Sequence, residues 1–404
     1  MAVSGGGDSV ALLHLAQGWA VGRGVRLHAA TVNHGLRPAA AAEATTMATA
    51  CSALGVGHRT FHWQDRDGQG WDGQGNLQAR ARQARRTLLS GWAEAAGLEA
   101  VLLGHTADDQ AETVLMRLAR GSGVDGLCGM RRADAGSVFV RPLLAVSRAD
   151  LRDWLSARGI AWVEDPSNDD LRFDRIKARR LLAELAPLGL TPARLIETAA
   201  HMQRAQKTLW QAAAVWTAVH LRAEGGDLVV DAEALQLGRS DTEGRVLAAA
   251  VQWIGNAPYR PRHDALQEVA AALRRGEART LGGVCLTPDG HRGARMSREP
   301  AAMAGPVSAR RLPGEAVLWD GRWLVSGAAP AEGATDADLT VAALGDTGLA
   351  ACTGWRGAGL PRGSLVTSPA VWAGGRLIAA PLAGWPNGWQ ARLCLPFDRF
   401  IVSH

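Results

Sequence analysis

The sequence predicts an α/β fold: a parallel-sheet domain, then a helical domain, then a small, partly β C-terminal module. Three observations carry this. From Val3 to about Leu182, short apolar runs alternate with amphipathic helical stretches, the pattern of a parallel sheet with helices on both faces. From about Leu188 to Glu299 helical periodicity dominates. From about Pro300 onward, short apolar runs are broken by Asp-Gly and Gly-Gly, the signals of tight hairpins.

Local signals justify each element in turn. The chain opens "AVSGGGDS" and continues at once as "VALLHLA", a helix. Three consecutive glycines suit a turn, because glycine loses most backbone freedom in regular structure. "RLHAATVNHG" (26–35) and "EAVLLGHT" (99–106) read as strands with polar exits, and 38–50 as an alanine-rich helix. From Phe139, "FVRPLLAVSRADLRDWLSARGIAWVED" gives a strand, a helix capped by Ser147 and a further extended piece. Thr191 and Pro192 open a long amphipathic helix, and "RPRHDALQEVAAALRR" is another, stopped by Gly276. "VLWDGRWLV" and "VWAGGRLIAAPLAG" read as hairpins. The expected domain bounds are 1–185, 186–300 and 301–404.

Composition narrows the function classes. The 404 residues carry a net charge of +5, which suits an acidic partner such as nucleic acid. Lysine occurs only at Lys177 and Lys207, so nearly all of the 44 basic residues are arginine. That bias weakens any single arginine as a sign of phosphate recognition. There is no signal-type leader and no apolar run near membrane length, so a cytoplasmic protein is expected. Cys51, Cys128, Cys285, Cys352 and Cys394 include no CxxC pair, which supports neither a zinc ribbon nor a redox dithiol.

Two motifs carry chemistry. A glycine-rich turn feeding a helix N-terminus cradles anionic phosphate. "SGGGDS" is neither a Walker A loop nor GxGxxG. Its Asp8 is a carboxylate inside an anion site, which makes sense with Mg²⁺ bridging to phosphate. In "GHTADDQAETVLMRLARGSG", His105, Asp108, Asp109 and Glu112 fall at i, i+3, i+4 and i+7. On a helix all four share one face, and the three carboxylates repel one another unless the face is simply solvated or a cation sits among them. That cation is a charged substrate or, alternatively, a metal held in a hydrolase-type cluster. Ligands of parallel sheets sit beyond the strand carboxyl ends, so "SGGGDS", "NHGLR" and "GHTADD" are expected to line one crevice.

The blocks "AVSGGGDSVALLHL", "VNHGLRP", "NLQARARQARR", "GHTADDQAETVLMRLARGSGVDGL" and "RPLLAVSRADLRDWLSARGIAWVEDPSN", in this order, resemble the tRNA(Ile)-lysidine synthases. The resemblance is strong over 2–180 and continues weakly through "YRPRHDALQEVAAAL" and "LGGVCLTPDGHRGARMSRE". SGGxDS marks the wider ATP-pyrophosphatase, or PP-loop, superfamily, and the longer HTADDQAET block narrows it to the lysidine branch.

The resemblance implies a two-step ligase. ATP adenylates the oxygen on carbon 2 of the wobble cytidine in a minor tRNA(Ile) with a CAU anticodon. The ε-amine of free L-lysine then displaces AMP. It implies that Ser4, Gly5, Gly6, Gly7, Asp8 and Ser9 hold ATP, with Val32 and His34 against the nucleoside and Mg²⁺ on Asp8. Asp8, His105 and Arg82 are the expected catalytic residues, Asp109 and Glu112 the lysine site, and Arg175 and Arg179 the tRNA contacts. Two departures stand out: Arg86 replaces a common tyrosine, and Ile176 an asparagine. The rival readings are another PP-loop tRNA-modifying enzyme, such as a thiolase needing cysteines near its site, an amide-forming ATP pyrophosphatase, and a non-catalytic RNA-binding protein.

Overall fold

The computed structural model describes residues 1–35, 39–63, 77–133, 136–164, 174–234, 240–290, 293–309, 316–327 and 339–403. Leu36 and Arg37 of "NHGLR", Asn76, and 165–168 of the "WVEDPSN" segment lie outside them. The chain forms two compact units, Met1–Gln206 and Lys207–His404.

The first unit is built on parallel pairing. β1 (His28–Asn33) pairs parallel with β2 (Gly57–His62), and β3 (Val101–Leu102) with β4 (Phe139–Val140). Residues 1–3 join the two pairs. Val3 N donates to Ala30 O, Ala30 N to Met1 O, and Ala2 N to Leu102 O. Ala2 and Val3 are each 2% exposed. Successive strands depart on opposite sides of this segment, β1 on one and β3 on the other. A doubly wound sheet opens its ligand crevice where the strand order reverses, here at "SGGGDS" and "GHT".

Helices cover this sheet: α1 (Gly7–Ala20), α2 (Ala39–Ala53), α3 (Leu77–Ala95), α4 (Ala107–Leu118), a single turn α5 (Val124–Leu127), α6 (Arg148–Ser156) and α7 (Asp174–Leu185). Ser147 caps α6 as expected, its Oγ accepting from Asp150 N at 3.0 Å. The long helix α8 (Pro192–His220) starts at its proline.

The second unit holds a five-stranded antiparallel sheet in the order β5 (Leu221–Glu224), β6 (Asp227–Val230), β9 (Ala294–Arg298), β8 (Val284–Pro288), β7 (Arg279–Leu281). Helices α9 (Asp241–Gly255) and α10 (His263–Arg274) pack on it through Val246, Ala250, Leu266 and Val269. The helical periodicity of 188–299 did not announce these short strands. After β10 (Val307–Ser308) come the two hairpins read from sequence. β11 (Val317–Trp319) and β12 (Trp323–Gly327) turn at Asp320 and Gly321, both at positive φ. β13 (Leu339–Ala343) pairs with β14 (Pro369–Ala373), and β14 and β15 (Arg376–Ala379) turn at Gly374 and Gly375. Both modules are knit into one body. Arg298 Nε and Nη2 each donate to the Asp320 carboxylate at 2.9 Å, and Ser364 Oγ donates to Asp227. No helix among the described residues is long and apolar enough to cross a membrane.

Candidate active site

Three helix starts build the site. Asp8 is the second residue of α1 and Arg148 the first of α6. Val10, Leu12 and Leu13 of α1 share one buried core with Leu151 and Leu155 of α6, so the packing that buries these faces sets the two starts side by side. Thr106 caps α4 in a reciprocal box. Asp109 Oδ2 accepts from Thr106 N at 2.8 Å and from Thr106 Oγ1 at 3.0 Å, while Thr106 Oγ1 accepts from Asp109 N at 3.4 Å. Arg148 N donates to Asp108 Oδ2 at 2.7 Å and Ala107 N to Val146 O at 2.9 Å, which locks the start of α4 to that of α6.

Where they meet, one guanidinium serves three carboxylates. Arg148 Nε lies 3.1 Å from Asp8 Oδ2, its Nη2 3.3 Å from Asp109 Oδ1, and its Nη1 3.6 Å from Glu112 Oε1. Arg179 Nε on α7 donates to the same Glu112 oxygen at 2.9 Å. Glu112 is 1% exposed, and its Oε2 has no hydrogen-bond partner among the described residues. Burial raises the Asp8 pKa against the pull of Arg148. Burial likewise raises that of Glu112 against Arg179 and Arg148. Burial works to lower the Arg148 pKa, but Asp109, Asp8 and Glu112 outweigh it and hold it above its ordinary value. A cation at a helix N-terminus opposes the helix dipole, and here the surrounding carboxylates compensate.

His105 departs from the stripe read in sequence. It precedes the Thr106 cap, so it is not on the helical face. Its Nδ1 is buried without a hydrogen-bond partner among the described residues, and burial lowers its pKa to about 4. Asp109 opposes that shift, while Arg175, Arg141 and Arg82 add to it. Around Arg82 itself, desolvation and then Arg175, Arg86, Arg141 and Arg85 lower its pKa. A pool of positive charge thus lies beside the histidine. Arg86 stacks over Phe139, its Cζ 4.6 Å from the ring centroid. The alternative metal cluster is not built: His105 stands apart, and among the described residues no group of three or more His, Cys, Asp or Glu could hold a metal.

The glycine turn is shaped for close approach. Gly5 has φ +89°, which costs glycine little. A Cβ on Gly104 would stand 3.1 Å from the Asp8 carbonyl oxygen, so the two strand exits touch backbone to backbone. Ser9, expected at ATP, also ties the turn: its Oγ donates to Gly6 O at 2.9 Å and accepts from Ser4 N at 3.1 Å. Among the described residues no side chain caps α1 at Gly6. His34, two residues after Val32 and just past the end of β1, stands edge-on to Trp63 with ring centroids 5.6 Å apart. Its Nδ1 is buried and has no partner among the described residues, and burial, then Arg85, lowers its pKa. Arg175 and Arg179 both sit on α7, and Arg179 is turned to Glu112.

A family model described as a PP-loop domain matches residues 1–186. A tRNA(Ile)-lysidine synthase from Ruegeria pomeroyi is 45% identical over 405 residues, covering 100% of this chain and 93% of that relative. The chain belongs to the tRNA(Ile)-lysidine synthase family. A second lysidine synthase, from Rhizobium meliloti, is 34% identical over 82% of this chain and 73% of its own length. A third, from Methylobacterium nodulans, is 39% identical over 76% of this chain and 91% of its own.

Much of the block that resembles the lysidine synthases has structural duties. Gln110 Nε2 donates to Met130 O at 2.9 Å and its Oε1 accepts from Met130 N at 2.6 Å. Arg117 Nη1 donates to Gly126 O at 2.8 Å and Gly129 O at 2.9 Å. These bonds fold "RGSGVDGL" back onto α4. Arg148 is the site residue that sequence reading missed. Its signal was a basic residue directly after the Ser147 cap, where an acidic one is favoured.

Proposed function

We propose that this chain is the ligase that joins free L-lysine to carbon 2 of the wobble cytidine of a tRNA(Ile) with a CAU anticodon, through an adenylated cytidine, releasing AMP and pyrophosphate. One observation carries the reading furthest: Glu112 is buried, its Oε2 has no partner among the described residues, and it meets, with Asp109 and Asp8 of the glycine turn, at the Arg148 guanidinium. A lysine amine suits an orphaned buried carboxylate oxygen. A polyphosphate suits an uncapped helix N-terminus next to it.

The roles follow from position. The turn from Ser4 to Ser9 cradles the phosphates, with its shape held by Ser9, and the end of β1, at Val32 and His34, lies against the nucleoside. Asp8 offers one carboxylate at the start of α1, directly after the glycine turn. Magnesium takes one or two carboxylates together with phosphate oxygens, so this donor set fits Mg²⁺ bound with nucleotide and not a closed protein cage. When bound, Mg²⁺ supplies charge stabilisation at the phosphates. Arg82, with Arg141 and Arg175 nearby, faces developing phosphate charge. His105, kept neutral, accepts a hydrogen bond or proton from the attacking amine once anionic ligand offsets the arginines. Glu112 and Asp109 orient lysine so that its ε-amine reaches carbon 2, where attack expels AMP.

Residues 1–185 are proposed to hold this chemistry and 186–300 and 301–404 to bind tRNA, in the cytoplasm. The testing experiment is pyrophosphate and AMP release by the full chain with tRNA(Ile) bearing CAU, with and without lysine. Release that needs this tRNA, with AMP-free product only when lysine is added, supports the reading. Release that needs no tRNA points to an amide-forming pyrophosphatase.

A further inference from the structure

We propose that Arg148 is the positioning residue that makes lysine binding depend on nucleotide binding. The inference rests on the functional reading above and adds a coupling that this reading does not contain. Its ground is the shared use of one side chain. Arg148 Nε is on Asp8, the carboxylate assigned to Mg²⁺ and phosphate, while Nη2 and Nη1 are on Asp109 and Glu112, the carboxylates assigned to lysine. The two assignments come from separate elements, α1 and α4, and the guanidinium from a third, α6.

A lysine ammonium set between Asp109 and the Glu112 Oε2 that has no partner among the described residues needs Asp109 Oδ1, which the guanidinium holds, and a carboxylate that the guanidinium also faces beside Arg179. Asp109 Oδ2 is not a substitute, since it is committed to the Thr106 cap. Lysine therefore binds against a tethered competitor. The competitor is anchored at three points and at its backbone, which donates to Asp108. Magnesium and phosphate drawing on Asp8 remove one anchor and offer the guanidinium an anionic alternative beside α1. Its hold on Asp109 and Glu112 weakens, and lysine gains what the guanidinium loses. By linkage, lysine must tighten nucleotide binding by the same factor. The forked geometry is what allows one side chain to span both sites, which an ammonium cannot do.

The test is lysine affinity of the full chain by calorimetry, with and without saturating Mg²⁺ and the non-cleavable analogue α,β-methylene-ATP. The intact protein is expected to bind lysine about 5- to 100-fold more tightly with the nucleotide, the usual range for coupled sites. In Arg148→Gln the ratio falls to near one, and lysine without nucleotide binds more tightly than to the intact protein. Arg148→Lys, which keeps charge but not the fork, gives a reduced ratio and guards against a misfolded glutamine variant. An unchanged ratio in either variant overturns the inference, as does a ratio of one in the intact protein with lysine bound normally. A merely structural role moves both affinities and leaves the ratio intact. Lysine failing to bind the intact protein under both conditions overturns the functional reading itself.

Discussion

Arg179 Nε lies 2.9 Å from Glu112 Oε1, joining α7 to a carboxylate that is 1% exposed on α4. A buried carboxylate cannot lose its main partner cheaply. Arg179→Ala should cost about 1–3 kcal/mol, the penalty of leaving a buried charged acceptor unmet, and should raise the KM for lysine. Urea unfolding followed with lysine kinetics checks both.

Glu112→Gln removes the charge and keeps the shape. Lysine KM should rise about 10- to 150-fold, equivalent to about 1.5–3 kcal/mol for a charge-assisted contact, with ATP affinity changed far less. Equal losses for lysine and ATP would place Glu112 outside the lysine site.

Asp8→Ala should leave the circular dichroism spectrum intact and abolish Mg²⁺-dependent AMP formation, since a metal supplies several kcal/mol of charge stabilisation. Retained AMP formation removes Asp8 from the metal role.

Two glycines separate packing from ligand. Gly104→Ala would set a Cβ 3.1 Å from Asp8 O and 3.2 Å from Ser9 Cα, both backbone, at about 1–3 kcal/mol of overpacking. Gly6→Ala meets nothing closer than Ser4 Oγ at 3.9 Å. It should fold normally and still lose ATP affinity, because the added methyl intrudes on the phosphates. Thermal midpoints and ATP titrations of both variants distinguish the two effects.

His105 sets a pH dependence. Its folded pKa, about 4, lies below the unfolded value of about 6.5, so the unfolded chain binds more protons between these limits. The stabilisation from keeping this imidazole neutral is full above pH ~6.5 and is lost as pH falls toward 4. His105→Gln should be less sensitive than the intact protein to acidification from pH 7 to 5. Equal loss of midpoint in both would contradict the shift.

The parallel sheet, its polar exits and the Asp-Gly and Gly-Gly hairpins after Pro300 were legible because each is a local pattern. The Thr106–Asp109 box was legible too, as a T-x-x-D start, but the carboxylate was read only as a ligand. Arg148 showed in sequence only as a basic residue out of place after the Ser147 cap: its partner Asp8 is 140 positions away, and only the packing of α1 on α6 joins them. The strands of 221–298 are three to five residues long, too short for periodicity to outvote the flanking helices. Their turns at Gly225-Gly226 and Gly282-Gly283 carried the same signal as the later hairpins. The pairing of Arg179 with Glu112 is tertiary and left no mark in the local sequence.

Phosphate contacts should make tRNA binding steeply salt-dependent, while ATP affinity changes little. About six such contacts lose on the order of 10³ in affinity between 50 and 200 mM salt. Arg175→Ala should reduce the slope by about 1. Filter binding across a salt series checks this.

The most direct measurement of the central claim is incorporation of radiolabelled lysine into tRNA(Ile) by the full chain with ATP and Mg²⁺. Label should appear in the CAU transcript at the wobble nucleotide, and a transcript with uridine there should take none. ATP consumed on the CAU transcript with no lysine attached to the wobble base would contradict the account.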